Sequence, residues 1–143
     1  MGGNFNDWEG LEWERAEKHG GVVEAYRQLI AFRKNAGGVS AGLTGKGINV
    51  FHVDEENKVV AYHRWLNGGP KDDVVVVLNF GNREFDAYSM GFPHNGRWQV
   101  RFCSAHKGYS ADFAGTSVPD VDVQAGNGTF VLPASSALIF SQD

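Results

Sequence analysis

The sequence predicts a mainly β fold, an antiparallel β-sandwich preceded by one N-terminal α-helix. Three observations carry that expectation. Helical spacing occurs in one convincing stretch, Val22–Phe32. From about Gly47 onward the apolar residues recur with period two, in short runs broken by Gly, Asn, Asp and Pro. Nineteen glycines in 143 residues fit a chain with many tight turns. A lone helix leading into an all-β body reads as the end of a larger protein, carried with the last piece of a neighbouring domain. The expected division is 1–38 for the lead-in and helix and 39–143 for the sandwich.

The lead-in Asn4–Gly20 is polar and aromatic, with Trp8, Leu11 and Trp13 among five acids, and Gly20-Gly21 breaks it before the helix. In the helix, Val22, Tyr26, Leu29 and Ile30 form an i, i+4, i+7, i+8 stripe, with Arg27, Gln28 and Lys34 opposite. Arg33-Lys34 complements the helix dipole, and Asn35-Ala-Gly37-Gly38 supplies the stop. Gly42-Leu-Thr-Gly45-Lys-Gly47 is a turn entering the first strand; it lacks the Gly-Lys-Ser/Thr ending of a P-loop.

Ile48–Val53 and Lys58–Trp65 flank four polar residues, Asp54–Asn57, and so form a hairpin. Asn67-Gly-Gly-Pro70 is a loop. Val74–Leu78 is a continuous β-branched run, the mark of a strand buried on both faces. Phe85–Met90 returns, Asn95-Gly96 turns, and Trp98, Val100 and Phe102 alternate with polar residues along a half-buried strand. Ser104–Val118 reads as loop with Tyr109 and Phe113 as anchors, and Asp120–Gly128 as a polar connection. Phe130–Leu132 and Ala137–Phe140 close the domain, giving seven or eight short strands.

The formal net charge of −4 provides no clustered basic face for a nucleic-acid partner. No apolar run approaches the roughly 18 residues of a membrane span. The N-terminus lacks a signal-peptide pattern. One cysteine, Cys103, excludes an intrachain disulfide and fits a reducing compartment, which slightly favours the cytoplasm.

The search for chemistry returns little. Asp54, Glu55, Glu56, Asp72 and Asp73 fall at expected turns or strand edges, where acids are solvated. Glycoside cleavage needs two carboxyls converging on one bond, and no pair is so placed. Ser104 and His106 lack a nucleophile elbow, and Cys103 reads as a small, partly buried residue. A four-residue turn sets His52 opposite Val59, which leaves His63 about 13 Å away at ~3.3 Å per residue, too far to share an ion. Asp120-Val-Asp-Val-Gln-Ala-Gly126 begins like a calcium loop but lacks its sixth-position Gly and its Glu. No metal and no cofactor is expected. Sugar stacking on Trp65, Tyr88, Trp98 or Tyr109 is the one activity with support. Trp98 belongs to the core by its alternation, leaving Trp65 and Tyr109 as the open candidates.

In order and spacing the segments are familiar. Tyr26-Arg-Gln-Leu-Ile-Ala-Phe-Arg-Lys-Asn35 resembles the last barrel helix of the α-amylase / 1,4-α-glucan branching enzyme family, and Leu11-Glu-Trp13-Glu-Arg-Ala16 the stretch before it. Gly47–Val53, Val59–Trp65 and Asp72–Phe80 resemble strands of that family's C-terminal all-β domain. Met90-Gly-Phe-Pro93, Gly96-Arg-Trp98, Gly108–Phe113 and Leu132–Phe140 resemble its closing segments. The likeness runs from about Leu11 to Gln142, and Asp120–Gly128 departs from it.

The resemblance implies a Greek-key sandwich that caps and stabilises a (β/α)8 barrel acting on starch- or glycogen-type α-glucans. The barrel's catalytic acids match no position here, so the chain alone is expected to be inactive. The expected partner is the parent's catalytic barrel, met through Val22, Tyr26, Leu29 and Ile30. Without it, the helix folds onto the sandwich or self-associates. The alternative is an independent glucan-binding module.

Overall fold

The computed structural model describes residues 20–105 and 118–143. Helix α1 spans Gly20–Arg33. It stops where Asn35 turns left-handed (φ 56°), and the Ser40 hydroxyl donates to the Phe32 carbonyl at 2.8 Å. That bond satisfies one of the acceptors every helix end leaves open. A 3-10 turn, Ala41–Thr44, follows. Its glycines answer to close approach: a Cβ on Gly42 or Gly45 would lie 2.3 Å from the backbone oxygen of Asp72 or Trp65.

Among the described residues there are eight strands: β1 Gly47–Asp54, β2 Val59–Trp65, β3 Val74–Asn79, β4 Phe85–Gly91, β5 Gly96–Cys103, β6 Val121–Val123, β7 Asn127–Leu132 and β8 Ser136–Ser141. Every pairing is antiparallel. Six strands form one sheet in the order β1-β2-β3-β8-β5-β6, and β4 and β7 form the other. The last strand thus lies between β3 and β5, and this non-consecutive return gives the sandwich its Greek-key character.

Two expectations are corrected. The first turn is Glu55–Lys58, with Lys58 at positive φ, and a bulge lies between Val50 and His52. His52 therefore pairs with Ala61, and His63 with Asn49. Asp54 moves the turn one residue on, because its carboxylate accepts from the Asn57 backbone and side-chain amides at 3.1 and 2.8 Å. The segment Asp120–Gly128 is not a plain connection. It holds β6 and a turn through Ala125 (φ 51°) and Gly126 (φ 79°) into β7. Two positive φ values in succession match the right-handed strand twist. An apolar alternation of only Val121 and Val123 is too short to stand out in sequence.

The core has two compartments. Between the sheets, Val59, Ala61, Val75, Val77, Trp98, Leu138 and Phe140 meet Tyr88, Met90, Phe92, Phe130 and Leu132. On the outer face of the large sheet, Val74, Val76, Phe102 and Ile139 meet Leu43, with Ala25, Leu29 and Phe32 of α1 packed against them. The expected double burial of the Val74–Leu78 run follows: β3 sends Val75 and Val77 inward and Val74 and Val76 outward. The helix does fold onto the sandwich.

Candidate functional site

The polar groups concentrate where the loop 66–73 meets β2 and the end of β4. Asp73 is 2% exposed, although it stands at the entry of a buried strand. Its Oδ1 accepts from His63 Nε2 at 2.7 Å and its Oδ2 from the Gly69 amide at 2.7 Å, with His94 Nε2 lying 2.9 Å from Oδ2. A carboxylate only accepts, so the His63 imidazole presents Nε2–H to it. Asp72 is also buried and accepts from the amides of Leu66 at 2.8 Å and Asn67 at 3.0 Å. Burial acts to raise the Asp72 pKa, but the Asn67, Leu66 and Gly68 amides outweigh it and hold the group below its ordinary value. Both acids were expected to be solvated. They are instead the internal braces of a Gly-Gly-Pro loop, whose free amides need acceptors.

A second network joins the sheets. His52 Nε2 donates to the Tyr88 hydroxyl at 2.6 Å, and that hydroxyl donates to Asp54 Oδ2 at 2.9 Å. Burial, then the Asp54 carboxylate, pushes the Tyr88 phenol above its usual value. The amides of Asn57 first, and Tyr88 after them, hold Asp54 low.

Beside His63 lies a pocket of about 200 Å³ lined by Asn49, Phe51, His63, Gly91, Phe92 and Pro93. It sits at the β1 edge of the sandwich, between β1, β2 and the end of β4. Asn49 and His63 are cross-strand partners and stand side by side above the apolar floor. The Trp65 ring lies against His63, with centroids 4.7 Å apart and planes inclined 38°. Trp65 also covers Gly47, where a Cβ would lie 2.2 Å from the indole.

The buried and paired acids are thus acceptors for the fold. Asp120 takes the Val100 amide and Arg97, and Asp143 takes Arg101 and Gln99. Among the described residues, no group of three His, Cys, Asp or Glu side chains is arranged for a metal ion. Cys103 is buried, which pushes its thiol pKa up and away from thiolate chemistry.

The expected site residues fall in different places. Trp65 is half-buried against His63, and Tyr88 and Trp98 belong to the core. Tyr109 lies outside the described residues, as does the side chain of Val22. The helical stripe divides. Leu29 packs on the sheet, whereas Tyr26 is 65% exposed and Ile30 55% exposed, with Val23 on the same side. The pocket gave no sequence signal, because Asn49 and Phe51 on β1 and Phe92 just after β4 are distant in sequence and meet only in the fold.

Comparison with known proteins supplies the frame for this arrangement. Residues 50–143 match the family model described as the α-amylase C-terminal all-β domain. The chain belongs to that family. In structure it is similar to the α-amylase from H. orenii, with a TM-score of 0.54 at 21% identity, over 84% of this chain. It spans only 20% of that amylase's length. A search of curated proteins returned no match. As an α-amylase C-terminal domain, the chain has the antiparallel sandwich its family predicts, with the helix Gly20–Arg33 before it.

Proposed function

We propose that this chain is the non-catalytic C-terminal domain of an enzyme that cleaves or branches α-1,4-glucans of the starch or glycogen type, joined to the last helix of its catalytic barrel. It braces that barrel. Residues 1–38 belong to the barrel side of the joint and 39–143 to the sandwich. The observation that carries this reading is the two-sidedness of α1. Ala25, Leu29 and Phe32 pack on the sheet, while Tyr26 and Ile30 remain 65% and 55% exposed one helical turn apart. A helix apolar on both sides is a helix shared between two bodies. The exposed side is the surface a barrel would cover, and Arg33 fixes the helix by donating to the Leu43 carbonyl of the 3-10 turn. The association of such a domain with an amylase barrel agrees with the family to which the chain belongs.

The test compares the chain alone with the protein that carries the preceding barrel. The double variant Tyr26→Ser/Ile30→Ser should leave the isolated chain within about 0.5 kcal/mol of its parent, as surface changes do. In the barrel-bearing protein the same change should lower Tm and glucan-cleaving or branching activity together. Equal effects in both settings would remove the basis for a shared helix. The purified chain should release no reducing ends from amylose and branch none.

A further inference from the structure

We propose that Asn67-Gly68 is a site of spontaneous self-modification, at which the side-chain amide is lost and the loop between β2 and β3 comes untied. This goes beyond the bracing role and does not rest on it. Gly follows Asn at three places in the chain, Asn67-Gly68, Asn95-Gly96 and Asn127-Gly128. With no Cβ on the second residue, its backbone nitrogen can closely approach the preceding side-chain carbonyl. The fold holds two of the three pairs away from that approach. Asn127 opens β7, and its amide and carbonyl are both bonded to Gln124 at 3.0 Å. Its neighbour Gly128 is buried, and a Cβ there would lie 2.8 Å from Phe92 and from Val121. Asn95 is tied at both ends: its Oδ1 accepts from the Gly126 amide at 2.8 Å, and its carbonyl accepts from Gln142 Nε2 at 3.0 Å. Asn67 is exposed, and its backbone N–H donates to Asp72 Oδ2 at 3.0 Å. Among the described residues its side-chain amide has no hydrogen-bond partner. Gly68 is exposed too, at φ 86°, and a Cβ placed there would approach only Asp73 Oδ1, at 3.9 Å. A ring closed at this point has room.

The chemistry needs only water. The Gly68 nitrogen attacks Asn67 Cγ, and an N–C bond forms. The Gly68 N–H bonds to the buried Asp72 carboxylate, which is placed to take that proton. The proton passes to the Asn67 side-chain nitrogen, the bond from Cγ to that nitrogen breaks, and ammonia leaves. Water then opens the resulting succinimide at either carbonyl, leaving aspartate or isoaspartate where Asn67 stood. Both stages weaken the brace. The imide nitrogen carries no hydrogen, so Asp72 loses one of its donors. Opening restores the N–H but adds a carboxylate beside an acid that is already buried, and like charges disfavour each other's ionised form. The isoaspartate product also carries the main chain through an extra methylene. That insertion falls between the Leu66 and Gly69 amides, which Asp72 and Asp73 hold at 2.8 and 2.7 Å.

The experiment ages the folded 143-residue chain in mildly alkaline buffer and follows each Asn-Gly pair by peptide mass mapping, with a urea-unfolded sample aged alongside. Conversion at Asn95 first breaks its bonds to Gly126 and Gln142. In the folded chain Asn67 should therefore convert at least about tenfold faster than Asn95 or Asn127. In urea the three rates should draw together. The converted fraction, separated by charge, should show faster amide exchange across 66–73 than the fresh chain. Asn67→Gln alters an exposed side chain, so it should keep the fold and yield no such fraction after the same ageing. Equal rates at the three pairs in the folded chain would overturn the proposal. So would faster conversion at Asn95 or Asn127, or unchanged amide exchange in the converted fraction. None of these outcomes depends on whether the helix meets a barrel.

Discussion

The two faces of the six-stranded sheet are closed in different ways. The inner face is sealed by β4 and β7 of the same domain, and Trp98, Leu132, Leu138 and Phe140 reach 0% exposure there. The outer face is covered by α1 and the 3-10 turn. Its seal is partial: Tyr62 and Leu78 remain half-buried, and Ile48 and Val50 on the edge strand β1 are 58% and 54% exposed. Val50 pairs with Tyr62, so the uncovered patch continues the same face that the helix covers. The inner compartment is self-sufficient. The outer one leaves apolar side chains of β1 and α1 in solvent.

That contrast can be broken by substitution. The largest effect is expected inside. Trp98→Ala removes a fully enclosed indole and its bond to the His94 carbonyl at 2.9 Å, and should destabilise by about 3–5 kcal/mol in urea unfolding. Phe32→Ala on the helix removes a half-buried ring that meets Phe102 edge-on at 6.5 Å, and should cost about 1–2 kcal/mol. Should Phe32→Ala prove as damaging as Trp98→Ala, the two faces would be equally essential and the comparison would fail.

A smaller effect sharpens the role of the loop between β2 and β3. Asp72→Asn removes a charged acceptor for the Leu66 and Asn67 amides and should cost about 1 kcal/mol at neutral pH. Folding lowers the Asp72 pKa, so its contribution is fully present above the unfolded value of about 3.9 and disappears as the pH falls through the lower folded value. The unsubstituted chain should therefore lose stability on acidification below pH ~4, and the variant should lose less over the same window. Urea midpoints measured across that range test it. Identical acid slopes would show that Asp72 does not brace the loop.

Much of this architecture is readable from the residues alone. The Val74–Leu78 run is apolar at every position, and burial on both faces is the arrangement that makes such a run stable. Trp98, placed by alternation, is fully enclosed. The acids were read poorly for a definite reason. In sequence, Asp72-Asp73 beside a Gly-Gly-Pro loop looks like a solvated turn. It becomes a buried pair because the loop folds its amides inward and needs acceptors, a demand that composition does not display. The helical stripe was legible as apolar, but its division between Leu29 inside and Tyr26 and Ile30 outside depends on which side of the helix the sheet approaches.

By itself the sequence determined the described helix, the strand segments other than β6 and the α-amylase C-terminal domain family, because period, turn chemistry and segment order are local properties written along the chain. Only the tertiary structure decided the β1–β2 register, the enclosure of Asp73 between two histidines, and the pocket beside His63. Each of these depends on a bulge or a long-range approach, where residues distant in sequence compete for the same backbone donors and the same space.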